Sequence, residues 1–331
     1  MKEQILLSHG GGGEEMNALI NNIIFKAFDN EILKSANDAA ILNLAPNIAF
    51  TSDSFVVSPL FFPGGDIGKI AVCGTINDLA MVGASAKYLS CSLIIEEGFS
   101  IEELKKILHS MQKEASKNDV CIVCGDTKVV PKGKADGLFI NTAGIGEIIK
   151  KNIITSNLKV GAKILLSGDI ARHGGVIVAL RDELELQSDL KSDCKSLKNV
   201  VLELLNNNIV PLCMRDATRG GLSAVLNEWA TQNNLEIVID EESVNICDEV
   251  QGICELLGFE PYELANEGTF VLAVMPEFEK RALEILKRFD SNAAVVGEVV
   301  SSKRDVVLIK NSYGVLRSME PPRGELLPRI C

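Results

Sequence analysis

The chain has 331 residues, enough for two domains of ordinary size with separate cores. It is 47% hydrophobic and 24% charged, a globular balance, and it contains neither an apolar run long enough to cross a bilayer nor a secretory segment, because Ile5-Leu6-Leu7 stops at Ser8 and a glycine run. A formal charge of −12 argues against a nucleic-acid face, and nine cysteines scattered through apolar stretches read as reduced cytoplasmic thiols.

Ser8-His9 and the glycines 10–13 precede a stretch, 14–28, whose apolar residues recur at helical spacing. Such a run can present backbone N–H groups to an anion; a loop of no chemical purpose is the alternative. Residues 37–42 and 48–57 read as two strands carrying Asp38 and Asp53. An aspartate inside an apolar strand is disfavoured unless it is paired or metal-bound. A turn at 61–69 opens a helix over 66–82 that carries Asn77-Asp78. Strand 88–95 follows, and then Ser100-Ile101-Glu102-Glu103, a capping box that opens an amphipathic helix through Ala115.

Residues 120–124 form an apolar strand ending in Gly125-Asp126-Thr127-Lys128, and 138–148 another. Cys121 and Cys124 lack a second cysteine pair at zinc spacing, so they read as small buried hydrophobes. A polar bridge at 152–160 leads into a second α/β alternation. Its strands fall near 163–167, 235–239, 269–274, 294–300 and 306–309. Its helices fall near 175–181, 196–206, 248–257 and 278–289, with one more after the run 214–221. The rhythm predicts mixed sheets with helical layers: domains at 1–155 and 156–316, and a flexible tail at 317–331.

The tail ends in a cysteine, Cys331. Pro321, Pro322 and Pro328 disfavour helix, so the tail should be an extended arm, and the roughly 20 residues after Asn311 span about 65 Å when stretched. The neighbouring terminal carboxylate raises the thiol pKa, with Arg323 and Arg329 close enough in sequence to oppose it.

Polar chemistry concentrates at Asp38, Asp53, Asn77-Asp78, Asp126-Thr127-Lys128 and Asn266-Glu267. Magnesium takes a few carboxylates and completes its shell with water and phosphate oxygens. With Lys69 and Lys128 as counter-charges, the aspartates suit a metal–triphosphate site, although singly each could be a cap or turn residue.

The runs 54–69 (SFVVSPLFFPGGDIGK), 74–80 (GTINDLA), 125–130 (GDTKVV), 214–221 (MRDATRGG) and 328–331 (PRIC) closely resemble the HypE family of hydrogenase maturation factors. The resemblance covers essentially the whole chain. That family belongs with aminoimidazole ribonucleotide synthetase, selenophosphate synthetase and thiamine-monophosphate kinase. The resemblance implies a two-domain synthetase-like fold and a cytoplasmic homodimer that pairs its N-terminal sheets and binds ATP and Mg2+. By matching motifs, Asp38, Asp53, Asp78 and Asp126 would serve metal and phosphates, with Lys69, Asn77 and Thr127 beside them.

The implied reaction begins when a HypF carbamoyltransferase loads Cys331. ATP then drives dehydration of the S-carboxamide to a thiocyanate, and the cyano group passes to iron on a HypC–HypD complex. Lys128 and Glu267 are the candidates for deprotonation, and His173 and Arg215 for tail or phosphate contacts. Ala217 departs from the family, which usually has proline there. Two rivals are a sister kinase acting on a free small molecule and a non-catalytic scaffold that presents the thiol.

Overall fold

The structure, a computed structural model, describes residues 4–11, 14–34, 39–181, 189–301, 304–322, 327 and 329–331. Strand β1 (Ile48–Phe55) turns alternate residues to opposite faces. Ala49, Thr51, Asp53 and Phe55 point toward the helical layer, while Ile48, Phe50, Ser52 and Ser54 stay exposed. A two-residue hairpin, β2 (Phe61–Phe62) and β3 (Gly65–Asp66), feeds the helix Ile67–Met81. Asp66 caps that helix by accepting from the Lys69 amide at 2.9 Å.

Within this helix only Lys69 and Asp78 are not buried. A helix apolar on every side belongs between two layers, and this one touches β1 on one side and the helix Lys198–Asn206 of the second domain on the other. Gly68 is required where it packs on the helix Ile101–Lys117: a Cβ there would come within 2.6 Å of the Ile107 carbonyl.

Strands β4 (Ala84–Glu96), β5 (Cys121–Val130) and β6 (Leu138–Ile148) complete a sheet of order β1-β6-β4-β5. Only β4 and β5 run parallel, joined by the amphipathic helix Ile101–Lys117, whose cap is the expected Ser100. One face carries the helices; the other leaves Ile48, Phe50 and Ile94 exposed.

The second domain is a seven-stranded sheet built from β7 (Lys163–Leu166), β8 (Cys213–Asp216), β9 (Glu236–Asp240), β10 (Phe270–Val274), β11 (Ala294–Ser301), β12 (Val306–Lys310) and β13 (Leu316–Ser318). Its order is β13-β12-β9-β11-β7-β10-β8. Strand β10 is buried at every position, as a strand lying between two others under helices should be. The sheet continues to Ser318, so residues 317 and 318, expected in the tail, pair with β12 instead.

Residues 14–27 are helical as their spacing predicts, with a π-turn at Ile20–Ile24. Two expectations need correction. Residues 39–45 carry no strand. Cys121 and Cys124 are exposed and not buried. The reason is a bulge: Cys121 faces Tyr88 and Cys124 faces Ser90, so the extra residue in β5 turns both thiols to the open side.

Candidate active site

Asp53 reaches the helical face from β1, and Asp78 meets it from the helix Ile67–Met81. The Asp78 carboxylate accepts from the Thr51 hydroxyl at 2.7 Å. Asp216, the last residue of β8, and Glu267, in the turn before β10, arrive from the second domain. Together with Cys331 these residues line a cavity of about 50 Å³ where the two domains meet. A neighbouring cavity of about 330 Å³ shares Ser54, Arg219 and Cys331 with it.

The electrostatics are those of crowded carboxylates. Burial and the adjacent Asp78 push the Asp53 carboxyl up to about 7, opposed by Arg219. Burial, Asp78 and Asp53 push Asp216 up to about 7 as well. Glu267 is 2% exposed, and burial followed by Asp193 and Asp216 holds its carboxyl well above the ordinary range. Its Oε1 is buried with no hydrogen-bond partner.

Among the described residues no three His, Cys, Asp or Glu side chains form a ready-made metal cage. Magnesium does not need one, since one or two carboxylates plus substrate phosphates suffice. Hard oxygen donors that repel one another and hold protons for want of positive charge fit such a cation. Asp53 and Asp78, with Asp216 beside them, are the residues that would hold it.

The Glu267 turn is fixed from below. Asp193 accepts from the Glu267 and Gly268 amides at 3.0 and 2.9 Å. Asn266, fully buried, accepts from the Ala171 amide at 2.7 Å and donates to the Ala217 carbonyl at 2.8 Å.

The end of the chain docks into this junction. The Cys331 carbonyl accepts from the Val56 amide at 2.9 Å, and the Arg329 carbonyl from Ser58 at 3.2 Å and from the Arg181 guanidinium. The Ile330 carbonyl lies 2.8 Å from His173 Nε2. Arg329 donates to the Val56 carbonyl at 2.9 Å and lies over the Phe139 ring. The Cys331 thiol, pressed between domains, is pushed up to about 12 by burial, and Glu267 adds to the shift.

Two family models match: AIR synthase related protein, N-terminal domain, over residues 36–148, and AIR synthase related protein, C-terminal domain, over 159–310. The carbamoyl dehydratase HypE of Escherichia coli (strain K12) is 43% identical over 337 residues, covering 99% of this chain and 99% of that protein. The chain belongs to the HypE family. A crystal structure of a hydrogenase maturation protein HypE in complex with ATP matches with a TM-score of 0.95 at 40% identity, covering 98% of this chain and 99% of that one. The HypE chain of a HypE–HypF complex matches at 0.81 and 43% identity, covering 92% and 100%.

The residues singled out by likeness to HypE do not all gather. Asp53, Asp78, Glu267 and Cys331 do. Asp38 lies outside the described residues. Asp126 sits three strands away from β1, about 14 Å at ordinary strand spacing, and on the open face in register with Ser92 and Asn141. Lys128 is on that face too, bonded to Asp126 at 2.7 Å, so no Lys128–Glu267 pair forms within one protomer. Thr127 is buried, and with Asp126 it lines a cavity of about 100 Å³ that also includes Met16, Ile20 and Phe25. Lys69 donates to the Gly64 carbonyl at 2.8 Å.

Asn77 faces the second domain. It is 1% exposed, accepts from the Leu197 amide at 2.7 Å and donates to the Lys195 carbonyl at 3.1 Å, which makes it a clasp between domains. Arg215 is committed to Glu228 and does not reach the tail. Asp216 and Asp193 were missed. Asp216 stood in the quoted run 214–221, whereas nothing in sequence marks Asp193.

Proposed function

We propose that this chain dehydrates an S-carboxamide carried on its own Cys331 to a thiocyanate at the expense of ATP, supplying cyanide ligands for the iron of a [NiFe]-hydrogenase. The observation that carries this reading is the seat of Cys331: a docked C-terminal thiol beside Asp53, Asp78, Asp216 and Glu267. A superfamily kinase acting on a free small molecule has no use for that thiol.

The carbamoyl oxygen attacks the γ-phosphorus and ADP leaves. Loss of phosphate from the resulting O-phosphoryl group then forms the C≡N bond as both N–H protons depart, one with phosphate and one through Glu267 to solvent. Phosphorylation converts a poor leaving oxide into a good one. Glu267, whose Oε1 is unpartnered beside the thiol, is the base at the amide nitrogen. A magnesium ion, when bound by Asp53 and Asp78, supplies positive charge to the phosphates. Asp126 and Thr127 line an apolar slot and, with Lys128 bonded to Asp126, suit nucleotide contacts.

The carbamoyl group comes from a HypF-type carbamoyltransferase and the cyano group goes to a HypC–HypD-type complex. A homodimer that pairs the N-terminal sheets would cover the exposed Ile48, Phe50 and Ile94. Nine free cysteines accord with a cytoplasmic setting. Intact-mass spectra after incubation with the carbamoyltransferase, carbamoyl phosphate and ATP should show the carbamoyl adduct on Cys331 and then loss of one water. An adduct elsewhere, or one that never loses water, would refute the reading.

A further inference from the structure

Three consecutive tail carbonyls, those of Arg329, Ile330 and Cys331, are each held by a donor, and the middle one is held by a side chain with no exposure at all. His173 lies in the first turn of the helix Arg172–Arg181, with its ring edge-on to Phe62 at 5.3 Å between centroids. Its Nε2 is 2.8 Å from the Ile330 carbonyl and its Nδ1 is 2.8 Å from the Ser192 hydroxyl.

Donor logic fixes the tautomer. A carbonyl only accepts, so Nε2 carries the hydrogen. Nδ1 of the neutral ring then accepts, and the Ser192 hydroxyl donates to it while receiving the Cys194 amide at 3.1 Å. Ser192 is tied in turn to the Pro63 carbonyl through its own amide at 2.9 Å. The chain Pro63–Ser192–His173–Ile330 therefore spans the domain junction and ends one residue before the thiol. Arg181, at the other end of the same helix, holds the Ser58 carbonyl at 2.8 Å and the Arg329 carbonyl.

We propose that His173 is a latch: a positioning residue that holds the tail docked through its Nε2–H bond to Ile330, with Ser192 setting its tautomer. This rests on the proposed dehydration at Cys331, in which the thiol must leave the junction to be loaded and return to be dehydrated. The latch then divides the tail between the two tasks. A weaker latch favours loading and slows dehydration.

The test uses the full chain and reads docking directly, by the rate at which N-ethylmaleimide labels Cys331, followed on the C-terminal peptide by mass. His173→Leu should label about tenfold faster than wild type, the change expected when one buried hydrogen bond that closes a local opening is lost. His173→Gln places an amide N–H near the Nε2 position and should restore protection. Ser192→Ala should label at an intermediate rate and serves if His173→Leu does not fold. In single turnover of the carbamoylated protein, His173→Leu should dehydrate more slowly while being loaded at least as fast as wild type.

Equal labelling of wild type, His173→Leu and Ser192→Ala overturns the latch. Equal labelling of His173→Gln and His173→Leu overturns the hydrogen-bond assignment, because packing alone would then explain the effect. Labelling needs no turnover, so failure of the dehydration reading would leave this result standing.

Discussion

Val56 donates its amide to the Cys331 carbonyl at 2.9 Å, and two residues on Ser58 does the same for Arg329 at 3.2 Å. Partners that advance in opposite directions define antiparallel pairing, so the chain's last residues lie along the segment that follows β1. Main-chain bonds of this kind are blind to side chains. Cys331→Ala should therefore dock and fold like wild type, at a cost of about 1 kcal/mol or less for the lost sulfur contacts. It should also abolish cyanide delivery, because no atom remains to carry the carbamoyl group. Normal hydrogenase maturation by this variant would remove the basis of the proposed function.

The docked thiol is also a pH gauge. Burial raises it from the ordinary 9.0 to about 12. Below about pH 9 docked and undocked tails both carry the proton and docking is undisturbed. Between about 9 and 12 the undocked tail loses a proton that the docked tail keeps, so docking weakens as pH rises. Alkylation of Cys331 should be slow at pH 8 and climb above pH 9 with a midpoint higher than that of a free tail peptide. Identical midpoints would mean that the thiol is not held in the junction.

Much of this arrangement was legible in the sequence where a local rule decides it. The helix after Asp66 shows in its unbroken apolar composition, and the helix after Ser100 in its cap and period. Asp53 and Asp78 stood out as charges inside apolar runs. What escaped depends on long-range register. Nothing local places the bulge that turns Cys121 and Cys124 outward, or puts Asp126 on the face opposite Asp53. Asn77 looked like its neighbour Asp78, yet one helical step turns it toward the second domain. Asp193 acts through amides some 75 residues away in sequence.

The clasp made by Asn77 has a direct consequence for stability. Asn77→Ala removes two hydrogen bonds and leaves the Leu197 amide and Lys195 carbonyl unsatisfied in a buried junction. The expected loss is about 2–4 kcal/mol of unfolding free energy, with ATP affinity unchanged. Chemical denaturation and nucleotide titration measure the two separately. Lost ATP binding with unchanged stability would return Asn77 to the nucleotide site.

Asp78→Asn should behave in the opposite sense. Its amide still accepts from Thr51, and Asp53 loses its nearest like charge, so the ligand-free protein should melt no lower than wild type. ATP turnover should fall at least about 100-fold, because the pair that would hold the cation has lost one carboxylate. Wild-type turnover would show that Asp78 is structural only.

Glu267 poses the sharpest question, because its environment and its proposed task conflict. A base must be ionised, yet burial, with Asp193, Asp216 and Asp53 adding to it, holds this carboxyl's pKa well above the ordinary range. Burial is permanent, but the carboxylate repulsion is not: neutralising Asp53 and Asp216 when nucleotide binds removes part of what holds the proton on. Ionisation of Glu267 therefore becomes easier once ATP has arrived, which favours proton abstraction when phosphate can leave. Glu267→Gln keeps the shape of the protonated form and cannot ionise. It should fold at least as stably as wild type, accept the carbamoyl group on Cys331 and bind ATP, and then stall. Intact-mass spectra should show the carbamoylated species persisting in the variant while wild type loses one water. If Glu267→Gln reaches the thiocyanate as fast as wild type, Glu267 is not the base, and a water takes the proton in its place.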